Sequence, residues 1–523
     1  MTRATLIIAL FSMLSRLVGL LRDRIFASHF GAGETLDVYY AAFRVPDFLF
    51  NLLILGTLSA AFIPIFTSYR VKNEETAWRI ANTIFNLTFF AMGVLSIFLV
   101  GLAPLVVKII VPGFSAEKME ATVAVTRIML LSPFFFSLSS VFSSILNSYK
   151  RFAVVAALPV VYNLSIIAGA IFLYPRFGLA GLAWGVVIGA FLHMLLQIPS
   201  LLRTGYRWRP VLELQQSGVK KIAKLFLPRI LTMDFSPLIA SAVGSTLSVG
   251  SIAVYNLANN LQSVPLGVIA VSFATVAFPV LSEAAAKQDS GKFRTVFNET
   301  LAQILYLMIP LSALMLVLRA QIVRLILGAG LFTWEDTIWT ISTLAFFAIS
   351  LFAQGLIPLL ARAFYSLHNT VAPVVTGLVS AVVNIFAALY FTSHFGLGVS
   401  GLALAFSVAS VLNFLMLFIW LEISFGNLIS AKLILNVEKI IVSTLGMGIV
   451  AYATLYAVAP IVDTRTVAGL TLQTLSALVI GGVTYWFLSF IFGLPEGRHV
   501  FATAKLWLIK FRNAFVRIGN ADL

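Results

Sequence analysis

Hydrophobic runs of about 20 residues recur along the whole chain, and this is the length that a helix needs to cross the hydrocarbon core of a membrane. Of the 523 residues, 60% are hydrophobic and only 11% are charged, whereas about a quarter of the residues in soluble domains are charged. Gly and Pro are scattered through the runs, without the strict two-residue alternation of an outer-membrane barrel. The sequence therefore predicts an all-α, polytopic membrane protein.

The runs predict fourteen transmembrane helices with no soluble domain between them. The first run shows no small-residue cleavage site, so it is interpreted as a helix and not as a removable signal peptide. The predicted spans are 5–28, 37–68, 80–111, 122–147, 153–174, 179–201, 222–246, 251–282, 295–327, 336–364, 370–393, 398–424, 437–459 and 467–492.

Basic residues lie mainly in the loops that follow even-numbered helices, and the longest of these loops is rich in Arg and Lys. Since Lys and Arg favour the cytoplasmic side of a membrane, both termini are predicted to be cytoplasmic. The same rule explains the formal net charge of +15 without a nucleic-acid partner. After the last span, Lys and Arg alternate with Phe and Trp, which favours a basic amphipathic helix on anionic headgroups over a merely solvated tail.

An internal repeat is visible in the sequence. The segments that begin at Tyr149 and Arg176 recur from Tyr365 and His394, about 216 to 220 residues later, and Pro64 falls opposite Pro279 at a similar offset. Six helices repeat, and an even number gives both copies the same orientation. The predicted parts are an N-lobe (1–201), a cytoplasmic basic loop (202–221), a C-lobe (222–425), helices 13 and 14 (437–492) and a basic cytoplasmic tail (495–523).

Duplicated lobes of this kind usually hold a substrate near mid-membrane and expose it to each side in turn, although a duplicated scaffold that moves nothing is the alternative. Arg16 lies in the middle of the first span, without an acidic residue one helical turn away. A central Arg costs roughly 2.5 to 3.5 kcal/mol on insertion scales, while each Leu, Ile or Phe returns about 0.3 to 0.6 kcal/mol. We therefore expect Arg16 to face a water-filled, substrate-facing cavity.

Other polar residues are candidates for the same cavity. Arg22 and Asp23 either join it or reach the far interface by snorkelling. Asp37 and Arg44 lie about two turns apart on the second span and could complete the cluster. Because the planar guanidinium donates paired hydrogen bonds to phosphate, the arginines predict an anionic headgroup, and a lipid diphosphate would fit.

The roles of three further residues can each be interpreted in two ways. Asp234 could bind a coupling cation or proton, or it could pair with Arg229, five residues before it. Asn260 and Asn384 are either ligands or interhelical hydrogen-bonding groups.

The stretch SRLVGLLRDRIFASHFGAGETLDVYYAAFRVPDFL, followed by GTLSAAFIPIF, resembles the opening of the bacterial lipid II flippase family, called MurJ or MviN, in the multidrug/oligosaccharidyl-lipid/polysaccharide exporter superfamily. The stretches PGF, ILNSYKRF and GAGLFTWED agree with it, and the resemblance covers the whole chain. It implies a flippase, and not an enzyme, that moves the undecaprenyl-diphosphate-linked peptidoglycan precursor from the inner to the outer leaflet of the bacterial cytoplasmic membrane by alternating access.

The resemblance also implies that Arg16, Arg22, Asp23, Asp37 and Arg44 line the substrate cavity, and that helices 13 and 14 form a groove for the lipid tail. It implies no cofactor, and a driving force from the membrane potential or from a sodium or proton gradient. The implied partners are the lipid-linked diphosphate substrate, membrane lipids and cell-wall synthesis enzymes, without nucleic acid.

The chain departs from the family pattern at several positions. Phe50, Asn51 and Leu55 stand where many members carry a basic pair and then an acidic residue, and Asn260 stands where an arginine is often found. Either Arg16, Arg22 and Arg44 suffice for the diphosphate, or the substrate is a different lipid.

Several alternatives are compatible with the sequence. A related flippase could carry another polyprenyl-diphosphate oligosaccharide. A drug/cation antiporter would favour acidic cavity residues, which the cationic first span argues against. A membrane-embedded glycosyltransferase would need acids for metal or base chemistry, and the loop acids are more simply solvated, so no catalytic or metal-binding residue is predicted. A transport-inactive scaffold for cell-wall enzymes is the fourth alternative.

Overall fold

The computed structural model of the chain describes the backbone of residues 3–53, 58–226 and 236–497, and the side chains of residues 10–51, 62–222 and 236–497. Leu55, Asp234 and the part of the predicted tail after residue 497 lie outside the described residues. Within the described ranges the regular structure is helical throughout. The prediction of an all-α protein is confirmed.

The first half of the chain forms eleven described helices and one short π-helical segment, Gly169–Leu173, between α7 and α8. They are α1 (Arg3–Phe30), α2 (Glu34–Leu53), α3 (Leu58–Lys72), α4 (Glu74–Ile110), α5 (Ala116–Met129), α6 (Leu131–Ser148), α7 (Phe152–Ala168), α8 (Tyr174–Phe177), α9 (Leu179–Leu195), α10 (Ile198–Leu202) and α11 (Ser217–Phe226).

The second half forms ten described helices and a second π-helical segment, Leu266–Ala270, between α13 and α14. They are α12 (Ser236–Gly244), α13 (Ser251–Pro265), α14 (Val271–Ala286), α15 (Ser290–Val317), α16 (Arg319–Ile326), α17 (Trp334–Ser366), α18 (Val371–Ser393), α19 (Gly398–Phe425), α20 (Ala431–Val458) and α21 (Val467–Ile491).

Described helices fall on all fourteen predicted spans. Eleven described helical segments are long and apolar enough to cross a membrane. The three other predicted spans, 5–28, 37–68 and 222–246, each include residues outside the ranges given above. Some spans contain more than one helix, because the helical hydrogen bonding is interrupted within the apolar run. The span 122–147, for instance, comprises α5 and α6, which meet at Leu130.

The repeat predicted from the sequence is also visible in local backbone geometry. Backbone φ angles are positive at Gly31 and Gly250, at Lys150 and His368, and at Gly178 and Gly396, and the members of each pair are 218 or 219 positions apart. The starts of two helices repeat as well. The Ser115 hydroxyl accepts a hydrogen bond from the Lys118 amide at the start of α5, and the Thr333 hydroxyl accepts one from the Asp336 amide at the start of α17. The two copies therefore share turns and caps as well as sequence.

The chain divides into two compact units. Unit 1 comprises Met1–Leu261, Ile326–Thr343 and Gly377–Phe406. One apolar core cluster in unit 1 lies among α3, α4 and α6, where Phe62 and Phe66 stack with their ring centroids 5.2 Å apart and Ile80 and Ile145 are fully buried. The division into an N-lobe and a C-lobe at residues 201 and 222 stays a prediction.

Unit 2 comprises Gln262–Leu325, Leu344–Thr376 and Ser407–Leu523. Its helices α20 and α21 pack against each other, and α20 also packs against α15. Tyr485 on α21 donates a hydrogen bond to the Tyr306 carbonyl on α15 over 2.7 Å. This bond satisfies a buried hydroxyl and fixes the position of the last described helix on its neighbour.

Small residues permit the close approach of α9 to the π-helical segment that continues α7 in unit 1. A Cβ atom built on Gly185 would lie 2.8 Å from the Cα of Gly169, and one built on Gly169 would lie 2.7 Å from the Cα of Gly185. Real Cβ atoms essentially never come this close to backbone. The two helices therefore touch through backbone at this point, as in many pairs of membrane helices that meet at glycine.

We predict that Gly185→Ala lowers the free energy of unfolding by about 1 to 3 kcal/mol, because the added methyl group overlaps the backbone of the neighbouring helix. Thermal unfolding of the purified protein in detergent would measure the change. Gly101→Ala on α4 is the matched control, since nothing lies within 4 Å of its added methyl group, and Ala should gain up to about 1 kcal/mol of helix propensity there. Equal melting temperatures for the two variants would contradict the prediction.

Candidate functional site

The first candidate residue, Arg16, lies on an accessible stretch of α1. Its side chain is partly exposed, and the neighbouring apolar side chains of Met13 and Leu17 are 63% and 54% exposed. Arg16 is therefore partly accessible, and its predicted cavity-facing role stays a prediction.

Arg22 is held by two side chains in unit 1. Its Nε and Nη2 atoms donate to the same oxygen of Asp23 over 3.0 and 2.8 Å, and Nη1 donates to Asn163 on α7 over 3.1 Å. The Asp23 side chain is 2% exposed, whereas the Arg22 side chain is 21% exposed. The carboxylate therefore compensates the guanidinium charge from the protein side, while part of the guanidinium stays accessible.

Arg44 on α2 forms a second polar group in unit 1. Its Nε donates to the Ser241 hydroxyl on α12 over 2.8 Å, and its Nη2 donates to the Asn256 side-chain oxygen on α13. Asn260, another candidate, lies one helical turn beyond Asn256 and is partly exposed. Arg44 therefore joins the first predicted lobe to the start of the second, close to the position where an asparagine replaces the family's arginine.

Two tyrosines with buried hydroxyls lie near Arg22. Tyr40 is within electrostatic range of Arg22, Asp23 and Arg44, and Tyr162 is within range of Arg22. The hydroxyl oxygens of Tyr40 and Tyr162 are buried and have no hydrogen-bond partner among the described residues. Since buried polar atoms are normally paired, these two hydroxyls can each form a further hydrogen bond, to a water molecule or to a ligand.

Asp37 has protein partners for both of its carboxylate oxygens. Oδ2 accepts from the Lys118 ammonium and from the Gly250 amide, each over 2.8 Å, and Oδ1 accepts from the Ala253 amide over 3.0 Å. Asp37 is 2% exposed and lies at the N-terminus of α13, where the helix dipole favours a negative charge. This geometry gives Asp37 a structural role, and its predicted contact with substrate stays a prediction.

Four loops in unit 1 meet through glycine near Asp37. A Cβ atom on Gly250 would lie closer than contact distance to the Ala32 carbonyl, and one on Gly330 would meet the Ser28 carbonyl. One on Gly113 would meet the Ser245 carbonyl. The Ser28 carbonyl, which Gly330 approaches, also accepts a hydrogen bond from the Leu331 amide over 2.9 Å. All four loops follow odd-numbered predicted spans, so they belong to the same predicted side of the membrane, the outer one.

The remaining candidates are not part of this cluster. Asn384 is 3% exposed on α18, and none of the described hydrogen bonds links it to Arg22 or Arg44. Phe50, which departs from the family pattern, packs edge-on against Phe136 with the ring centroids 5.1 Å apart.

Several residues of the cluster were not predicted from the sequence. Lys118 carried a weak signal, because it follows the PGF stretch within a few residues, but it resembles an ordinary outer-loop charge. Asn163, Ser241 and Asn256 are ordinary polar residues of membrane helices, and their spacing along the sequence does not connect them to an arginine. Tyr40 was the most visible of the missed residues, since it lies between Asp37 and Arg44.

Comparison with known proteins places this geometry in a family. A sequence model described as "Lipid II flippase MurJ" matches residues 26–472. The chain is 30% identical to the "Probable lipid II flippase MurJ" of Thermotoga maritima over 432 residues, 81% of this chain and 86% of the relative. It is 29% identical to the protein of the same description from Bdellovibrio bacteriovorus over 508 residues, 94% of this chain and 95% of the relative.

Solved structures agree with the sequence comparisons. A structure described as "Lipid II flippase MurJ, inward closed conformation" matches with a TM-score of 0.77 and 25% identity, over 93% of this chain and 98% of the other. An inward-facing MATE family transporter of the MOP superfamily shares the fold, with a TM-score of 0.66, 18% identity and coverage of 82% of this chain and 99% of the other. The protein thus has the fold of a MOP superfamily membrane transporter. Within that class, the chain belongs to the MurJ lipid II flippase family.

We predict that Lys118→Met lowers the free energy of unfolding by about 3 to 5 kcal/mol, because it leaves the buried Asp37 carboxylate without its counter-ion. Combining it with Asp37→Asn should cost less than the two single changes added together, by about 0.5 to 3 kcal/mol. Chemical denaturation of the four proteins would measure this coupling. Lys108→Met, at an exposed position in the last turn of α4, should change stability by no more than about 0.5 kcal/mol. Strict additivity would contradict the structural role of the pair.

Proposed function

We propose that this chain is a flippase that moves lipid II from the inner to the outer leaflet of the bacterial cytoplasmic membrane. The observation that carries the proposal is the pair of unpartnered buried tyrosine hydroxyls beside the partly accessible Arg22. Membership of the flippase family supports the same conclusion from an independent direction.

The Arg22 guanidinium has room for an anionic ligand. Three of its five N–H groups are used by Asp23 and Asn163 among the described residues, which leaves two donors. A phosphate oxygen at these donors would also give the Tyr40 and Tyr162 hydroxyls an acceptor. Charge-assisted bonds of this kind are about twice as strong as neutral ones. The cluster thus suits a lipid diphosphate.

The loop contacts support an alternating-access mechanism. The positive-inside rule puts both termini in the cytoplasm and the four glycine-packed loops on the outer side. We infer that these loops close the outer side in the state described here and separate when the substrate leaves. Arg16, partly exposed on α1, would then meet the headgroup as it enters from the cytoplasmic side.

The driving force is part of the proposal. We infer coupling to the membrane potential or to a sodium or proton gradient, without a bound cofactor. Asp234 and the buried Asn384 are the candidate ion-coupling residues, because ionisable and polar groups within membrane helices commonly mark ion pathways. Cell-wall synthesis enzymes are the proposed protein partners.

A second candidate substrate is another polyprenyl-diphosphate oligosaccharide. It is favoured by Phe50, Asn51 and Asn260, which make the site less cationic than in many family members. Phe50 is engaged in aromatic packing against Phe136 and not in a polar contact. Both substrates share the diphosphate, so they differ in what the rest of the cavity recognises.

We predict that Arg16→Ala and Arg44→Ala each abolish lipid II translocation while expression stays normal, because each removes a cationic group from the headgroup's route. The measurement is rescue of peptidoglycan synthesis in a bacterium depleted of its own flippase, followed by translocation in proteoliposomes with lipid II and other diphosphate lipids side by side. Arg465→Ala, in an exposed loop, is the charge-matched control, and Lys510→Ala in the tail should also do little. Full activity of both cavity variants would refute the proposal.

We also predict opposite effects on transport and stability for Tyr40→Phe and Tyr162→Phe. Each change removes a hydroxyl that has no described partner, so the free energy of unfolding should stay the same or rise by about 1 kcal/mol or more. Loss of a hydrogen bond to phosphate should lower the translocation rate about tenfold. Unfolding and proteoliposome assays on the same samples would test both effects. Loss of stability with unchanged transport would show that the hydroxyls serve the fold.

A further inference from the structure

The loop between α10 and α11 is fastened along the first turns of α4. The Asn82 side chain donates to the Arg207 carbonyl over 3.1 Å and accepts from the Arg209 amide over 3.0 Å. The Asn86 side chain donates to the carbonyls of Arg209 and Val211 over 2.8 and 2.9 Å. These bonds use only backbone atoms of the loop. The loop is therefore rigidly placed while its arginine side chains stay exposed.

A cavity of about 250 Å³ lies between this loop and α4. Arg209 reaches Glu75 over 3.8 Å, but the Arg207 guanidinium makes no ion pair or hydrogen bond among the residues that the structure describes. The cavity is lined by three arginines together with acidic, aromatic and small residues: Glu74, Glu75, Trp78, Arg79, Asn82, Gly205, Arg207, Arg209 and Val211. It thus offers a cationic group without a fixed counter-ion.

The surroundings of the cavity are strongly basic. The adjoining segments 70–79, 149–151 and 202–221 carry ten Lys and Arg residues against three Glu. Arg151 donates to the Arg203 carbonyl, and Arg70 lies over the Tyr149 ring at 4.3 Å, so these segments are in contact. A surface of this charge attracts anions, and the attraction is worth about 1 kcal/mol for each basic residue near an anionic membrane.

Exposed apolar side chains stand beside the same arginines. Trp208 is 60% exposed while its indole N–H donates to the Asn86 side-chain oxygen over 2.9 Å, and Leu212 is 50% exposed. One and two turns beyond Asn86, Phe90 and Val94 are 57% and 68% exposed on the membrane-spanning helix α4. Trp208 therefore adjoins the lipid-facing surface of α4, at the kind of boundary where tryptophan is enriched in membrane proteins.

We propose that this loop is a binding site for the headgroup of an anionic phospholipid in the leaflet that borders the basic loops. Arg207 and Arg209 bind the phosphate, and Trp208 and Leu212 contact the first part of the acyl chains. The exposed apolar residues favour a lipid over an acidic protein segment, because they continue the lipid-facing surface. The site is separate from the Arg22 cluster, so it does not depend on the proposed transport of lipid II.

The test measures phospholipid binding to the purified full-length chain in detergent, without lipid II. Native mass spectrometry would follow a titration with phosphatidylglycerol, a parallel titration with phosphatidylcholine, and competition by soluble glycerol 3-phosphate. We expect Arg207→Gln with Arg209→Gln to weaken phosphatidylglycerol binding about fivefold for each arginine. Because the loop is fastened through its backbone, these variants should unfold at the wild-type temperature.

Arg203→Gln is the matched control for Arg207→Gln and Arg209→Gln made singly, since it removes one positive charge from the same loop but from a residue that does not line the cavity; it should leave binding within about twofold. In vesicles, phosphatidylglycerol with brominated acyl chains should quench more tryptophan fluorescence in the wild type than in Trp208→Phe. Equal binding of the two phospholipids, or equal weakening by Arg203→Gln, would overturn the proposal. Complete displacement by glycerol 3-phosphate would assign the site to a free phosphate ester. Binding of poly-glutamate, a model of an acidic protein segment, would be measured on the same variants. If Arg207→Gln with Arg209→Gln abolished poly-glutamate binding but left phosphatidylglycerol binding unchanged, the site would be assigned to an acidic protein.

Discussion

The buried carboxylate of Asp37 is the interaction on which the arrangement of unit 1 depends. It joins α2 to the start of α13, more than two hundred positions away, and it is neutralised by Lys118. A charge in this position is strongly unfavourable unless it is paired and hydrogen-bonded. Because Asp37 is stabilised by a lysine, two backbone amides and a helix dipole, its charge is stable only when α2, α5 and α13 are all in place. The same contacts bring Arg44 to Ser241 and Asn256.

Polar groups in unit 1 are of two kinds: those whose hydrogen bonds are made within the protein, and those that have no described partner. Both oxygens of Asp37 are occupied by the protein, and the oxygen of Asp23 that contacts Arg22 accepts from it twice. Tyr40 and Tyr162, in contrast, bury hydroxyls without a described partner. An arrangement that served stability alone would gain by replacing these hydroxyls with hydrogen. Their presence beside an accessible guanidinium is more consistent with recognition of an anion.

Much of the fold could be predicted from the sequence, because a helix that crosses a membrane needs a long apolar run and each such run predicts one helix. The repeat was also predictable, since its turns need particular residues, such as the glycines at positions 178 and 396. The partners of charged groups were not predictable to the same degree. Asp37 resembled a cavity residue, but its partners Lys118, Gly250 and Ala253 come from two other segments. Leu130, where α5 ends and α6 begins, lies in an apolar run, and the only local signal of a break is Pro133, which has no N–H to donate to the Met129 carbonyl.

In the proposed function, the pairing of Arg22 with Asp23 would also allow a flippase to bind a highly charged headgroup and still release it. An unpaired guanidinium within the membrane would be costly in the empty state, and it would hold a diphosphate tightly once the substrate arrived. With Asp23 already bound, the empty state is stable, and the phosphate must compete with a carboxylate for the same cation. Binding is then weaker than the charge alone would give, which favours turnover over retention. Arg207, at the water-facing end of the same unit, needs no such partner because water solvates it. Arg22 and Arg207 therefore differ in role, because the free-energy cost of removing the guanidinium charge from water is higher at Arg22.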